Sequence, residues 1–281
     1  MDQAPEAPPI YAPPSFPGFW GAIGLLALMQ LVAPIPIVLP FAIAGAAMKN
    51  PDLFKHPAVN AAGMLAGAVC VLWIYCRQAN TKLATLAGPH AQRPAVYLGV
   101  VAAVIGFLMI ETPLATAALY YFPSLNPELD FGFAQSPFAA FVLIVLIAPW
   151  SEELVFRGIF LRGFVPRYGI TKAVLTSAAL FAAVHLYPVR LPGMFAAGVL
   201  LCFLALRAGS LWPGILAHTL NNAVAATGMF LTGADEKPGD LWLQLGPALS
   251  LSIGLSGAAL LAGGIFAVRT GTAPEAELPM P

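Results

Sequence analysis

The sequence predicts an all-α fold, a polytopic membrane bundle of about eight transmembrane helices. Three observations support this prediction: an apolar composition, a series of apolar segments long enough to span a bilayer, and an uneven distribution of basic residues between the loops. Of 281 residues, 59% are hydrophobic and 9% are charged, whereas a soluble domain has about 25% charged residues. Too few charged side chains remain to cover a water-facing surface, so lipid is expected to surround much of the chain.

The apolar segments are the elements of this bundle. A transmembrane helix needs about 20 mostly apolar residues, and eight segments approach or exceed that length. The first contains Pro34, Pro36 and Pro40, which predict a kink because proline removes a helical hydrogen bond. The fifth and sixth are short, so they are expected to be either two tilted spans or one helical hairpin that does not fully cross. The eight segments are 18–48, 58–76, 95–121, 138–162, 172–187, 190–206, 211–232 and 241–268.

The basic residues predict the orientation of the bundle. Cytoplasmic loops carry an excess of Lys and Arg. If the N-terminus is cytoplasmic, the inside loops hold eight basic residues and the outside loops hold four, which favours this orientation. The inside residues are Arg77, Lys82, Arg93, Arg162, Arg167, Lys172, Arg207 and Arg269, and the outside residues are Lys49, Lys55, Arg190 and Lys237.

Composition also argues against some classes of protein. The net charge is zero, which argues against a nucleic-acid partner. Cys70, Cys76 and Cys202 show no spacing that would indicate a metal knuckle, so they are expected to be small buried hydrophobic residues. The Pro-rich tail at 1–17 lacks the basic region of a signal peptide. This tail and the C-terminal tail at 269–281 are expected to be disordered.

Polar side chains inside three of the predicted helices are the main functional signal. Charged groups cost about 2.5–3.5 kcal/mol each at the centre of a membrane helix by insertion scales, so they are functional candidates. Three such residues lie in the fourth segment, one histidine lies late in the fifth, and a histidine and an asparagine lie in the seventh. These six residues are Glu152, Glu153, Arg157, His185, His218 and Asn222.

The spacing of these residues predicts their arrangement. Glu153 and Arg157 are four residues apart on one helix face and are expected to form an ion pair. Glu152 then points about 100° away, toward a partner helix. His218 and Asn222 are also four residues apart and project from one face. A carboxylate, two imidazoles and a carboxamide are therefore expected to converge between three helices, where they would activate water and stabilise an oxyanion.

A purely structural role is the alternative for each of these residues. Ion pairs and polar side chains within a membrane also hold helices together. The presence of six such residues on three helices, at helical spacing, favours a functional site. Glu111 stands alone in the third segment, before Thr112 and Pro113, and is expected to be a polar group at a proline kink or a cavity wall.

Three motifs, in this order, resemble those of the CPBP family of intramembrane endopeptidases. That family includes the type II CAAX prenyl proteases and bacterial abortive-infection and bacteriocin-processing proteins. Its pattern is EExxxR, then FxxxH, then HxxxN. The sequence contains Glu152-Glu153-x-x-x-Arg157, then Phe181-x-x-x-His185, then His218-x-x-x-Asn222.

The resemblance implies a catalytic core at 138–232, preceded by N-terminal transmembrane helices at 18–137 and followed by a last transmembrane helix at 233–268. It implies an intramembrane endopeptidase that hydrolyses a peptide bond of a membrane-associated or lipid-anchored peptide. Together with the short loops, it also implies a multi-pass protein of the bacterial inner (plasma) membrane.

The resemblance assigns a role to each motif residue. Glu152 and His185 would bind and deprotonate the attacking water. His218 and Asn222 would stabilise the tetrahedral oxyanion. The supporting residues would be Glu153 and Arg157, as an ion pair, and Phe181, which would pack beside His185.

The cofactor stays open between two mechanisms. Zinc is one option, since Glu152, His185 and His218 could supply its ligands and the family has been described as metalloproteases. However, the sequence contains no HExxH motif, which is the usual zinc-binding helix. A metal-free, glutamate-dependent mechanism is therefore favoured.

Two other classes of membrane protein compete with this interpretation. A rhomboid-type serine protease would need a histidine after Ser256, but all four histidines precede it. The Gly254-Leu255-Ser256-Gly257 box is therefore expected to pack small residues in the eighth helix. A non-catalytic immunity, scaffold or peptide-binding protein that uses the same cavity stays an alternative, whereas a transporter is disfavoured because no inverted repeat is found.

Overall fold

The structure, a computed structural model, is helical throughout its regular elements. It has no β-strand in the described part of the chain, which confirms the predicted all-α class. The described residues are 16–50, 52–89, 92–125, 135–231 and 240–272.

Each of the eight predicted segments corresponds to one helix within these described residues. Six of these helices are long and apolar enough to cross a membrane, as judged by length and composition over the described residues, and the fifth and seventh are not among them. The fifth helix is a shorter apolar helix of 14 residues, which spans about 21 Å at 1.5 Å per residue. The helices are α1 (Phe19–Ala47), α2 (Pro57–Gln78), α3 (Pro94–Tyr121), α4 (Pro137–Tyr168), α5 (Ile170–Ala183), α6 (Leu191–Ala208), α7 (Trp212–Leu231) and α8 (Asp240–Gly271).

Proline residues determine where several of these helices begin or break. Pro57, Pro94 and Pro137 are the first residues of α2, α3 and α4, a position where the missing N–H of proline costs no helical hydrogen bond. α1 is interrupted by a π-helical turn at Leu28–Val32 and a short turn that ends at Pro34. This break lies at the first of the three prolines that predicted a kink.

The end of α5 differs from the sequence prediction. The segment was predicted to extend over 172–187, but the helix ends at Ala183. Leu186 has a φ of 54°, in the left-handed region that a right-handed helix does not use. Pro188 then begins a 3₁₀ turn that leads to α6. His185 was predicted to lie late in this helix, which is wrong: it lies in the turn that follows.

Both predicted tails are partly ordered at the ends next to the bundle. α8 extends three residues beyond its predicted end at residue 268. At the other terminus Pro17 is buried, and a Cβ on Gly163 of α4 would lie 2.5 Å from its carbonyl oxygen. Glycine is needed here because any side chain would collide with that backbone. The remainder of the tails 1–17 and 269–281, and the loop that contains Lys237, lie outside the described residues.

Glycines allow α3 and α8 to pack against each other as antiparallel helices. A Cβ on Gly99 would lie 2.9 Å from the carbonyl oxygen of Gly264, and a Cβ on Gly106 would lie 2.6 Å from that of Gly257. Small residues at a helix interface let backbones approach closely within a membrane. Ser256 is exposed, so the GxSG box packs through Gly257, as the sequence predicted.

We expect Gly106→Ala to destabilise the protein by about 1–3 kcal/mol, because overpacking of a close contact costs about that much. The matched control is Gly254→Ala, where a Cβ would meet nothing within 4 Å. Thermal unfolding of both variants in detergent measures the effect. Equal melting temperatures for the two variants would contradict the assigned helix contact.

Candidate active site

The acidic motif lies in a short α-helical stretch of α4 that is bounded by two wide turns. Residues Ala148–Val155 are α-helical, and π-helical turns precede them at Leu143–Ile147 and follow them at Phe156–Leu161. Such turns are rare and occur frequently at functional sites. Glu152 and Glu153 are both buried, with exposed fractions of 8% and 0%.

Glu153 and Arg157 form the predicted ion pair. Nη1 of Arg157 donates to Oε1 of Glu153 at 2.8 Å, and neither side chain is exposed to solvent. Nη2 of Arg157 donates to the carbonyl oxygen of Gly198 at 3.0 Å. The guanidinium also lies 4.6 Å from the centre of the Phe181 ring, a cation–π contact. Arg157 therefore links α4 to both α5 and α6.

Glycine residues bring α6 and α7 close enough for these contacts. A Cβ on Gly198 would lie 2.9 Å from the Cα of Ala178, so α5 and α6 are in backbone contact there. A Cβ on Gly214 would lie 3.1 Å from Oε2 of Glu153, so α7 passes directly over that carboxylate. These glycines leave room for the close contacts but carry no reactive group. They lie outside the three sequence motifs.

His218 lies between the two glutamates. Its Nδ1 is 3.0 Å from Oε1 of Glu153, and its Nε2 is 3.8 Å from Oε2 of Glu152. Oε1 of Glu153 already accepts from Arg157, so it acts as a carboxylate acceptor and His218 Nδ1–H is the donor. One carboxylate oxygen thus holds both Arg157 and His218. The sequence predicted the first of these contacts but not the second.

Glu152 is the glutamate without such a partner. Its Oε2, like Oε2 of Glu153, is buried and has no hydrogen-bond partner within the described parts of the chain, but Glu152 also lacks an Arg partner. The 3.8 Å gap to His218 is too long for a direct hydrogen bond, and a water bridge is the usual way to satisfy polar atoms at such a separation. Glu152 and His218 are therefore neighbours without a direct bond between them.

His185 is fixed by the end of α5. Its Nδ1 lies 2.7 Å from the carbonyl oxygen of Phe181. A carbonyl has no hydrogen to give, so Nδ1 carries the proton and Nε2 is the acceptor in the neutral ring. The Phe181 ring centre lies 4.9 Å from the His185 ring centre and 5.6 Å from that of His218. Phe181 therefore contacts both imidazoles, as well as Arg157.

Asn222 is held one turn beyond His218 on α7. Its Nδ2 donates to the carbonyl oxygen of Ile144 at 2.9 Å, within the first π-helical turn of α4. Its Oδ1 accepts from Nδ2 of Asn221 at 3.3 Å. A carboxamide has two N–H groups, so the second one stays available after the bond to Ile144. This backbone contact depends on the wide turn, for which the sequence gave no signal.

The structure therefore brings the predicted residues together in two connected groups. Glu153, Arg157 and His218 are linked by hydrogen bonds, with Glu152 3.8 Å from His218, and Phe181 connects this group to His185. The family resemblance implied that Glu152 acts with His185, whereas the imidazole that lies within 4 Å of Glu152 in the described residues is that of His218, at 3.8 Å.

The side chains do not fit the zinc site that the sequence left open. Among the described residues, no group of three or more His, Cys, Asp or Glu side chains is arranged to hold a metal ion. The Nδ1 atoms of His185 and His218 are both engaged in hydrogen bonds, which leaves Nε2 of each ring to accept from water or bind a metal ion.

We expect Arg157→Met to destabilise the protein by about 3–5 kcal/mol, because it leaves the buried Glu153 carboxylate without its counter-charge. The double variant Glu153→Gln/Arg157→Met is the control, and it should recover part of that loss since no unpaired charge remains. Melting temperatures in detergent measure both effects. Wild-type stability of Arg157→Met would show that the pair is dispensable.

Comparison with known proteins agrees with the motifs. Residues 134–224 match the family model described as Rce1-like, type II CAAX prenyl endopeptidase Rce1-like. The match covers 91 of 281 residues and includes all three motifs. No curated protein and no solved structure matches the chain. The match confirms the family that the motifs predicted, and it implies protease activity in general. With six apolar helices in the described residues that are long enough to cross a membrane, the chain is therefore an integral membrane protein whose segment 134–224 matches the family of Rce1-like type II CAAX prenyl endopeptidases.

Proposed function

We propose that the protein is an intramembrane endopeptidase that hydrolyses a peptide bond of a membrane-associated or lipid-anchored peptide. The observation that carries this proposal is the buried, unpartnered Oε2 of Glu152 beside Nε2 of His218. A neighbouring ion pair neutralises Glu153 but leaves Glu152 free to accept a proton. The proposed catalytic core is 138–232, which overlaps the family match.

In the proposed mechanism, Glu152 and His185 bind and deprotonate the attacking water. Each offers an acceptor atom: the Glu152 carboxylate and Nε2 of His185, whose Nδ1–H is engaged with Phe181. A water proton moves to Glu152 as the water oxygen bonds to the peptide carbonyl carbon. The same proton then passes to the leaving nitrogen as the C–N bond breaks, so the base becomes the acid.

His218 and Asn222 would stabilise the oxyanion that forms in the first step. Nδ1–H of His218 is held by Glu153, so Nε2 can donate to the oxyanion only when the ring is an imidazolium. The Glu153 carboxylate is placed to stabilise that positive ring. Asn222 would donate through its second N–H while the first stays on the Ile144 carbonyl. Loss of one oxyanion donor typically costs about 10²–10³ in rate.

We place the protein in a bacterial plasma membrane with a cytoplasmic N-terminus. The excess of Lys and Arg in the loops that would then be cytoplasmic supports this orientation. The site lies within the bundle, so the peptide would be cleaved at membrane depth.

We expect Glu152→Gln to lower the cleavage rate by about 10²–10⁴, the range that a general base contributes, with little change in melting temperature. Purified variants would be assayed by mass spectrometry on farnesylated CAAX peptides and on unprenylated transmembrane peptides. Ser256→Ala, at an exposed position, is the control and should keep full activity. Full activity of Glu152→Gln would reject the assigned base. If the wild type shows no proteolysis and Glu152→Gln keeps the wild-type cellular phenotype, an immunity or scaffold protein would be favoured.

We also expect cleavage by the wild type to survive dialysis against a chelator, since the described side chains do not assemble three metal ligands. The same peptides and product analysis measure the rate before and after dialysis. A loss of activity that added zinc restores would overturn the metal-free mechanism, whereas restoration by magnesium alone would point to an effect outside this site.

A further inference from the structure

The Ile144 carbonyl that accepts from Asn222 lacks both of its usual helical donors. In the first π-helical turn of α4, the N–H of Ala148 bonds to the carbonyl of Leu143, five residues back, so it does not serve Ile144 as an α-helical donor. The π-helical donor for Ile144 would be the N–H of the next residue. That residue is Pro149, which has no N–H. A backbone carbonyl without a partner is costly inside a membrane bundle, and Nδ2 of Asn222 supplies the missing bond at 2.9 Å.

The same construction occurs in α1, away from the candidate site. There the N–H of Ala33 bonds to the carbonyl of Leu28 at 2.8 Å. Pro34 then stands where the π-helical donor for the Met29 carbonyl would be. That carbonyl lies against Gly67 of α2, at the position that a Cβ would occupy. In both places, a π-helical turn that ends in Ala-Pro therefore presents one carbonyl to a neighbouring helix, and the neighbour is a glycine beside α1 but a carboxamide beside α4.

The free carbonyl of Ile144 determines which way round the Asn222 carboxamide lies. One end of a carboxamide is an acceptor oxygen and the other end carries two N–H groups. A carbonyl that faces it attracts the N–H end and repels the oxygen end. Oδ1 of Asn222 accordingly lies at the other end and accepts from Nδ2 of Asn221 at 3.3 Å. With both ends bonded, rotation of the carboxamide is restricted, and its second N–H keeps one direction.

We propose that Pro149 is a positioning residue for Asn222: because it has no N–H, it keeps the Ile144 carbonyl free to bind that side chain. This inference rests on the proposed function, in which the second N–H of Asn222 donates to the oxyanion. Pro149 is buried and acts through a backbone carbonyl, without touching the reacting atoms.

Restoring the N–H tests the proposed contact without any measurement of activity. Pro149→Ala gives Ile144 a backbone donor that competes with Asn222. Proton-detected nitrogen-15 spectra of asparagine-labelled protein in lipid bilayers report the side-chain bond, with the Asn222 signal assigned by its absence in Asn222→Asp. One side-chain amide proton of wild-type Asn222 should have the downfield shift of a hydrogen bond, and it should move upfield in Pro149→Ala. A wild-type signal without that shift, or a signal indifferent to Pro149→Ala, would overturn the proposal.

Kinetics on the peptide that the wild type cleaves measure the consequence. Pro149→Ala should lower kcat on the order of tenfold with an unchanged KM, since a displacement near 1 Å can cost up to about 10²-fold. Asn222→Ala should be slower still, and adding Pro149→Ala to it should cost nothing more, because both changes act on the same N–H. The matched control is Pro34→Ala, which restores an N–H at the same place in α1 and should keep a normal kcat. A normal kcat for Pro149→Ala, an additive loss in the double variant, or an equal loss in Pro34→Ala would overturn the positioning role.

A second variant covers the case in which Pro149→Ala fails to fold. Pro149→Val also restores the N–H and keeps more of the buried volume, so it should show the same change in the Asn222 signal and in kcat. If neither variant folds, the wild-type Asn222 signal decides, since the proposal requires its bonded N–H.

The spectra and the kinetics separate this proposal from the proposed function. Proteolysis by the wild type with an Asn222 signal indifferent to both Pro149 variants would reject the positioning role alone. Normal cleavage by Asn222→Ala, with a signal that responds to Pro149, would reject the assigned oxyanion donor while the contact between Asn222 and the Ile144 carbonyl stands.

Discussion

One carboxylate oxygen, Oε1 of Glu153, accepts hydrogen bonds from both Arg157 and His218, at 2.8 and 3.0 Å. The bond from His218 joins α4 to α7, and the second terminal nitrogen of Arg157 bonds to the Gly198 carbonyl of α6. A buried charge that loses its partner costs several kcal/mol. The ion pair itself lies within α4, so the neighbouring helices are positioned by the other bonds of the pair, from His218 of α7 and to the Gly198 carbonyl of α6.

The same interaction separates the roles of two adjacent glutamates. Glu153 is paired with Arg157 and bonded to His218 through Oε1, and its Oε2 lies against Gly214. Glu152 is one residue away but faces another direction, with a buried oxygen that no described side chain binds. Two identical side chains thus become a structural anion and a candidate base through their surroundings, as in other enzymes with paired carboxylates.

Sequence reasoning predicted the features that depend on local patterns. The helical segments followed from hydropathy and length, although six rather than eight of them in the described residues are long and apolar enough to span a membrane, and the Glu153–Arg157 pair followed from a spacing of four residues. The order of the three motifs also predicted a family that a match over 134–224 confirms. These features depend on residues close together in the chain, so the sequence contains most of the necessary information.

The features that the sequence did not predict depend on contacts between distant residues. The bond from Asn222 to the Ile144 carbonyl requires a π-helical turn in α4, and the position of His185 requires a left-handed Leu186. The second bond to Glu153 requires the close approach of α7 at Gly214. None of these has a periodic signal, since each arises only when the helices have packed.

The most direct test of the shared carboxylate is the protonation state of the His218 ring. Nitrogen-15 spectra of histidine-labelled protein in lipid bilayers, with the signal assigned by comparison with His218→Gln, distinguish the two ring nitrogens. The structure predicts a protonated Nδ1 with the chemical shift of a strong hydrogen bond to a carboxylate, and that shift should move in Glu153→Gln. An unprotonated Nδ1, or a signal indifferent to Glu153, would contradict the account.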